Sequence, residues 1–319
     1  MTSIAEPLAT AAQAPPPGAW RRILANRRAC VGGGVLVVLL LACVFSLPWT
    51  LRPGSDFYYG NQHSQTEPLS PALHPAWLTF GSTKLGQSLL GQCLLGGLIS
   101  LLIGIAAAAI SVVLGVSVGI LAGFKGGWVD ALLMRIIDVL YALPYILLVI
   151  LLKLALEPSP KKGPSNHPFA ANLIVLFMAI GLASWLTMAR VIRGQVLSLR
   201  TLPFIEAARA AGVPGHRIFF RHLLPNLIGP ITVYATLTVP QAILQESMLS
   251  FLGIGIQKPL PTWGSLASDG MTLALNPVLS RWWLLLFPCT LLAITLLALN
   301  FVGDGLRDVL DPKRDAAKI

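Results

Sequence analysis

The sequence predicts an all-α membrane protein, a six-transmembrane-helix bundle with both termini in the cytoplasm. Three observations lead to this fold class. Hydrophobic residues make up 55% of the 319 residues and charged residues only 11%, whereas soluble proteins carry about 25% charged residues. Six apolar runs approach or exceed the ~20 residues that a helix needs to cross a bilayer. The basic residues, finally, are concentrated on one side of those runs.

The chain divides at the edges of these apolar runs. Residues 1–19, rich in Ala and Pro, are predicted to be a disordered cytoplasmic tail. Residues 20–48 join a basic flank to the first transmembrane helix, and residues 49–93 are expected to form an external loop. Residues 94–312 are the core with five more spanning helices, and 313–319 are a cytoplasmic tail. The six runs are residues 30–48, 94–123, 131–152, 170–189, 227–252 and 282–302.

The distribution of basic residues predicts the orientation. With the N-terminus inside, 16 of the 23 Lys and Arg residues fall on the cytoplasmic side and 7 on the other. This bias follows the positive-inside rule, although Lys161 and Lys162 go against it. The net charge of +10 is therefore attributed to membrane orientation. The predicted partner is the lipid bilayer, and nucleic acid is excluded as a partner.

Small residues and prolines mark features within the spans. Pro144, Pro230 and Pro240 lie inside predicted helices and are expected to kink them. In the second span small residues recur at spacings of four, which brings each set to one face and lets another helix approach closely. These residues are Ser100, Gly104 and Ala108, followed by Ser111, Gly115, Gly119 and Gly123.

The longest predicted cytoplasmic loop contains a short helix rich in alanine. From Glu206 it reads Glu-Ala-Ala-Arg-Ala-Ala-Gly-Val-Pro. Ala is the best helix former, Gly212 suits the left-handed position that ends a helix, and Pro214 suits the first turn of a second short helix. The alanine face has little bulk and can enter a narrow groove on a partner protein. A plain amphipathic helix at the membrane surface is the alternative.

Two carboxylates, Asp138 and Glu246, lie within apolar spans. An ionisable residue in a membrane span is a candidate for function, because its charge is costly there. Asp138 follows Arg135 by three residues, so a helical ion pair between the two is available and favours a structural role. Glu246 has no basic neighbour in sequence. It is expected either to hydrogen-bond another helix or to line a pathway.

Several segments together resemble one family of membrane proteins. Glu206, Ala207, Ala208, Gly212, Leu224 and Pro225 follow the pattern EAA…G…LP. This pattern resembles the EAA loop in the permease subunits of ATP-binding-cassette (ABC) importers. Further segments resemble the dipeptide/oligopeptide/nickel permeases, most of all the second, C-type permease. They lie at residues 126–130, 193–197, 249–253 and 303–308.

This resemblance covers roughly residues 80–312 together with the basic flank and the first span. One segment departs from the family pattern GTD..LGRD..SR. Here the chain reads Gly-Ser-Thr-Lys-Leu-Gly-Gln-Ser over residues 81–88, without the usual charges.

The resemblance implies a type I ABC importer permease in the bacterial plasma membrane. Its implied partners are a homologous second permease, two ABC ATPase subunits and an extracytoplasmic solute-binding protein. The coupling loop, at about residues 200–225, is expected to dock on an ATPase. The docking residues that it implies are Glu206, Ala207, Ala208, Arg209, Ala210, Gly212 and Arg217. Di- and oligopeptides are the expected solutes, and nickel or another small solute is the alternative.

The residues disfavour two other classes of function. A polytopic membrane enzyme would need clustered catalytic side chains near one membrane interface, and the five His residues show no ligand spacing. A uniporter or channel would need no docking helix. Neither a P-loop nor an HExxH or GxSxG motif is present, so the sequence predicts no catalytic residues, no metal and no cofactor.

Overall fold

The computed structural model describes residues 26–61, 68–156, 168–256, 258–277 and 280–310. The predicted tails at 1–19 and 313–319, and the pair Lys161 and Lys162, lie outside these ranges. The described chain is almost entirely helical. Its α-helices are α1 Arg27–Thr50, α2 Leu89–Lys125, α3 Gly127–Tyr141, α4 Tyr145–Leu156, α5 Pro168–Arg200, α6 Pro203–Ala210, α7 Gly215–Ile218, α8 Leu224–Phe251, α9 Trp263–Ala274 and α10 Trp283–Leu310.

Five helical segments of the described chain are long and apolar enough to cross a membrane, and α3 with α4 make a sixth if the pair is one span. The all-helical class with up to six spans is therefore confirmed. The third predicted span, residues 131–152, is two helices bent by 99°, at the proline that was expected to kink it. Pro144 stands at this break, because a proline lacks the N–H that would continue the helix and disfavours helical backbone in the residue before it. Pro230 and Pro240, in contrast, lie within the continuous helix α8.

Helix α2 runs through the middle of the bundle, and its small residues are the contact points. An added Cβ at Gly115 would lie 2.5 Å from the Met188 Cβ atom of α5, and one at Gly104 would lie 2.8 Å from Ile243 of α8. The predicted four-residue spacing therefore corresponds to a real packing seam. The seam has two sides, since Gly104 faces α8 whereas Gly115, Gly119 and Gly123 face α5.

We call the end of the bundle that carries residues 201–223 the loop end and the opposite one the far end. At the far end, part of the predicted external loop packs against α9 and α10, where Phe80 joins a cluster with Leu266 and Trp283. Trp77 is buried, and its carbonyl accepts a 2.8 Å hydrogen bond from Ser88 Oγ. Ser88 Oγ in turn accepts from the Gly91 N–H and so caps α2, which begins at Leu89, five residues before the predicted start of this span at residue 94.

Candidate functional site

The loop-end segment contains the predicted short helix with its predicted ending. Helix α6 has Pro203 in its first turn, where a missing N–H costs no hydrogen bond. Glu206 lies in the same turn, near the positive end of the helix dipole. Gly212 has φ +74 just beyond the helix, the left-handed conformation that ends a helix and favours glycine. After this turn the chain continues through α7 and a π-helical turn, Phe219–Leu223, into α8.

One side of α6 faces outward and the other is anchored. Ile205 is fully buried and packs with Ile218 and Leu223 against Phe124 of α2 and Leu199 of α5. Ala208 lies at the edge of this cluster and is half-buried. Of the residues expected to dock, six are exposed: Glu206, Ala207, Arg209, Ala210, Gly212 and Arg217. Phe204 and Phe220 are also exposed in the same segment. Helix α6 thus presents Ala207 and Ala210 on its outer side, above a fixed hydrophobic base.

Polar contacts attach the same region to three spanning helices. Arg200 Nη1 donates to the Gly123 carbonyl at 2.6 Å, which joins the ends of α5 and α2. Arg193 of α5 donates two hydrogen bonds to the carboxylate of Asp130 of α3, from Nε to Oδ1 at 2.5 Å and from Nη2 to Oδ2 at 2.6 Å. A bidentate Arg–carboxylate contact fixes direction as well as distance. Neither Arg193 nor Asp130 was singled out as a partner from the sequence, since 63 residues separate them.

Asp138 has a different partner from the one expected. Its Oδ1 atom accepts a 2.8 Å hydrogen bond from Arg190 Nη2 of α5, and not from Arg135 of its own helix. The guanidinium of Arg190 also lies 4.2 Å above the Tyr141 ring. The expected Arg135 pair is therefore corrected. Arg135 and Asp138 are compatible by helical spacing alone, but the packing of α3 on α5 brings Arg190 to the carboxylate instead.

The Asp138–Arg190 pair is unusual in its exposure. The side chains are 60% and 43% exposed, respectively, although both belong to apolar helices. A charged residue at the centre of a spanning helix costs about 2.5–3.5 kcal/mol on insertion scales. Such groups therefore face protein or water rather than lipid.

Glu246 lies in the interior of the described chain with no exposed surface. Its Oε1 atom accepts hydrogen bonds from Ser250 Oγ at 2.6 Å and Thr262 Oγ1 at 2.8 Å. Thr262 is also the N-cap of α9 and forms a capping box with Ser265. Next to it, the Trp263 indole donates to the Cys93 carbonyl of α2 at 3.0 Å. Glu246 thus fastens the start of α9 to α8, which agrees with the interhelical hydrogen bond expected as one of its two roles.

Lys153 is a further candidate residue, which the sequence alone did not indicate. It is buried at the end of α4, and its ammonium donates to the carbonyls of Ile254 and Gly255, just after α8. Its only signal in the sequence is a single Lys inside an apolar run. Because the charge count assigned it to a loop outside the membrane, its contact with the far-end segment after α8 was not anticipated.

The segment that departs from the family pattern forms a neutral hydrogen-bond network. The Thr83 hydroxyl lies 3.4 Å from Gln87 Oε1, and Gln92 Nε2 donates to Gln87 Oε1 at 3.0 Å. The same nitrogen donates to the Tyr59 carbonyl at 2.6 Å. Gly86, with φ +71, supplies the tight turn between Thr83 and Gln87. Amides and hydroxyls therefore close this turn without the charges of the family pattern.

Comparisons with known proteins agree with this architecture. Residues 115–316 match the model of the family described as the binding-protein-dependent transport system inner membrane component. Residues 18–71 match the N-terminal TM domain of oligopeptide transport permease C. In fold, the chain is similar to a chain of the MetNI methionine ABC transporter in an inward-facing conformation. That match has a TM-score of 0.54 and 18% identity, and covers 68% of this chain and 94% of the other.

Three curated relatives are similar over nearly the whole chain. The oligopeptide transport system permease protein OppC of Escherichia coli K12 is 41% identical over 92% of this chain and 90% of its own length. The OppC protein of Salmonella typhimurium LT2 is 43% identical over 92% and 89%. The dipeptide transport system permease protein DppC of Bacillus subtilis 168 is 40% identical over 92% and 85%. The predicted resemblance is thereby confirmed.

Proposed function

Because the chain belongs to the family of binding-protein-dependent transport system inner membrane components, we propose that it is one of two permease subunits of a peptide importer. In this proposal the second permease is a homologous chain, and a solute path runs between the two bundles. Two separate ATPase subunits hydrolyse ATP, and an extracytoplasmic binding protein delivers a di- or oligopeptide. The loop end faces the cytoplasm, where the ATPases are.

The observation that carries the proposal is that α6 exposes alanines on its outer side while Ile205 anchors its inner side to the bundle. A rod whose outer side carries Ala207 and Ala210 can enter a groove that would exclude larger side chains, and alanine loses no rotamer entropy when it docks. The carboxylate of Glu206, exposed in the first turn, forms no hydrogen bond or ion pair among the residues that the structure describes. It is available for a charge-assisted hydrogen bond from the ATPase.

The anchoring of α6 supplies the route by which a motion of the ATPases reaches the membrane. A displacement of α6 acts on Ile205, whose cluster includes Phe124 of α2 and Leu199 of α5. Packed side chains transmit such a displacement because protein interiors are close-packed and little compressible. The ATPases would therefore move α2 and α5, and with them the path, as a domain movement driven by ATP binding.

The docking surface is tested by adding bulk to it. Ala210→Trp places a large side chain on the exposed face of α6 without entering the buried cluster. Ala76→Trp is the matched control, since Ala76 is also an exposed alanine but lies at the far end. Both variants are expressed with the second permease and both ATPases, and the complex is isolated through a tag on this chain.

We expect Ala210→Trp to reduce ATPase recovery severalfold and Ala76→Trp to leave it unchanged. Equal ATPase recovery from the two variants, with normal uptake of peptide, would exclude α6 as the docking element.

The substrate is tested with the intact transporter in proteoliposomes. We expect peptides, presented with the binding protein, to stimulate ATP hydrolysis and to accumulate inside the vesicles in the direction of import. Stimulation by a nickel complex with none by any member of a peptide panel would replace the peptide assignment by the small-solute alternative.

A further inference from the structure

A row of paired polar side chains runs along one face of the bundle between α5 and the broken pair α3–α4. On α5 the polar residues recur at every third position, and each has a partner across the gap. The Tyr145 hydroxyl lies 3.1 Å from Ser184 Oγ, the Tyr141 hydroxyl lies 3.2 Å from Thr187 Oγ1, and Arg190 pairs with Asp138 at 2.8 Å. We call these six residues the polar stripe.

The polar stripe opens to the outside of the isolated chain, although it lies along apolar helices. Asp138, Tyr141, Thr187 and Arg190 are all exposed, and α5 is long and apolar enough to cross a membrane over Asn172–Arg200. Hydrocarbon offers no hydrogen bonds to such groups, so polar residues at this depth face protein or a water-filled cavity. Nothing in the described chain covers them. These side chains must therefore face either a water-filled path or a partner subunit that encloses such a path.

Helix α8 adds primary amides to the same face. Gln245 lies beside the Tyr145 hydroxyl, and its Oε1 atom is buried without a hydrogen-bond partner among the described residues. Gln241 precedes it by one helical turn, on the same side of α8, and is exposed. A buried amide oxygen without a partner is rare in a native structure. It is therefore a position where an added N–H donor, such as one from a ligand, would be stabilised.

The chemistry of this face matches one class of ligand. The hydroxyls and amides each donate and accept hydrogen bonds, as a peptide main chain does at every residue. The charges cancel, because the carboxylate of Asp138 is already paired with Arg190. The stripe itself therefore has no net charge with which to select basic or acidic side chains, and the exposed Arg135, three residues before Asp138, is a cation outside it.

We propose that the polar stripe, with Gln241 and Gln245, lines this chain's half of the solute path and binds the main chain of the peptide in transit. This inference rests on the proposed function and deepens it. It assigns main-chain recognition to named residues and predicts transport that is indifferent to the side chains of the peptide.

The first test measures whether the stripe faces water. Thr187→Cys and Ser117→Cys are introduced separately into the assembled transporter and treated with a charged, membrane-impermeant thiol reagent, with labelling of the parent chain subtracted. Ser117 is the matched control, because it is an exposed hydroxyl residue on the spanning helix α2 that bonds only to its own helix, at the Val113 carbonyl.

We expect the thiol of Thr187→Cys to react with the reagent and to be protected when trialanine and the binding protein are added. The thiol of Ser117→Cys should stay unreactive, because it faces lipid. If the thiol of Thr187→Cys did not react, the proposal would be overturned.

The second test measures uptake. Thr187→Val and Gln245→Leu remove hydrogen-bonding groups while keeping similar volume, and Ser117→Ala is the control. We expect each stripe variant to slow uptake of trialanine roughly two- to tenfold, the loss that accompanies one hydrogen bond. The same factor should apply to peptides with basic or acidic side chains. Unchanged uptake, or a loss confined to one kind of side chain, would refute main-chain binding.

The two proposals fail in different ways. If the ATPases do not copurify with the unmodified chain, the proposed function is wrong. If the transporter assembles and takes up peptide but Thr187→Cys is not labelled and Thr187→Val transports normally, only the assignment of the stripe is wrong. If Thr187→Val or Gln245→Leu does not assemble, uptake cannot be compared. The labelling of Thr187→Cys is then the deciding measurement, because it tests directly whether this exposed position faces water.

Discussion

The seam between α2 and α5 allows a prediction whose magnitude follows from the coordinates. A Cβ atom built on Gly119 would lie 2.6 Å from the Ala189 carbonyl oxygen and 2.9 Å from the Ile192 Cβ atom. Real Cβ atoms essentially never approach closer than 3.0 Å. Since the oxygen belongs to the backbone of α5, it cannot rotate away. In Gly119→Ala the two helices must therefore separate by at least about 0.4 Å at this point.

The cost of that separation can be isolated with a matched substitution. Gly34 of α1 also lies within a spanning helix, but an added Cβ there meets nothing within 4 Å. Both Gly→Ala changes gain the same helix propensity, about 1 kcal/mol. The difference between them is therefore the overpacking term, which is about 1–3 kcal/mol when a packed core is forced apart. Gly34→Ala should stabilise the chain, and Gly119→Ala should be less stable than Gly34→Ala by that amount.

The measurement is thermal unfolding of the purified transporter in detergent, followed by the loss of monodisperse protein on heating. Parent, Gly34→Ala and Gly119→Ala are compared in one buffer, and Gly119→Leu is added because its larger side chain should lower Tm further. The reasoning is refuted if Gly119→Ala melts at the same temperature as Gly34→Ala or above it. The seam would then be too compliant for glycine to be required.

Two further predictions concern one partly buried and one buried polar contact, and use the same unfolding assay. Arg193→Lys should lower the free energy of unfolding by about 1 kcal/mol, because a lysine ammonium replaces two parallel hydrogen bonds to Asp130 by one point contact. A melting temperature equal to that of the parent would argue against the bidentate contact. Glu246→Gln should lower the stability only slightly, since an amide oxygen can still accept hydrogen bonds from Thr262 and Ser250. Glu246→Leu should lower the stability by about 1–3 kcal/mol for each buried hydroxyl left without an acceptor. Similar melting temperatures for the Gln and Leu variants would show that these hydrogen bonds contribute little.

The sequence predicts the parts of this fold that depend on local rules. A spanning helix satisfies its own backbone hydrogen bonds, so an apolar run suffices to place α1, α5 and α10. The end of α6 is equally local, because a left-handed residue after an alanine-rich turn favours glycine, and Gly212 supplies it. The spacing of the α2 glycines predicts close approach for the same reason, although it does not say which helix approaches.

Contacts between helices were not predictable in the same way. The Asp138 carboxylate has Arg135 within reach by helical periodicity, but it bonds Arg190, 52 residues away. Which of two cations it meets depends on the angle at which α3 crosses α5, and periodicity does not define that angle. The same holds for Glu246, whose partner Thr262 lies beyond the end of its helix. The bend between α3 and α4 is an intermediate case, because Pro144 predicts a kink whereas its 99° depends on what the two helices pack against.

The position of that bend matters for how a movement of α6 would spread. On the loop-end side of the bend, α3 is held to α5 by charge-assisted contacts at Asp130 and Asp138, with lengths of 2.5–2.8 Å. Near the bend itself the contacts are neutral hydroxyl pairs at 3.1 and 3.2 Å, from Tyr145 and Tyr141. Charge-assisted hydrogen bonds are about twice as strong as neutral ones. When α5 moves with the loop, α3 is therefore expected to follow it. The bend at residues 142–144 and the two neutral hydroxyl pairs beside it should then take up the change in position of α3 relative to α4. These two pairs are the part of the polar stripe where a peptide would meet the hydroxyls.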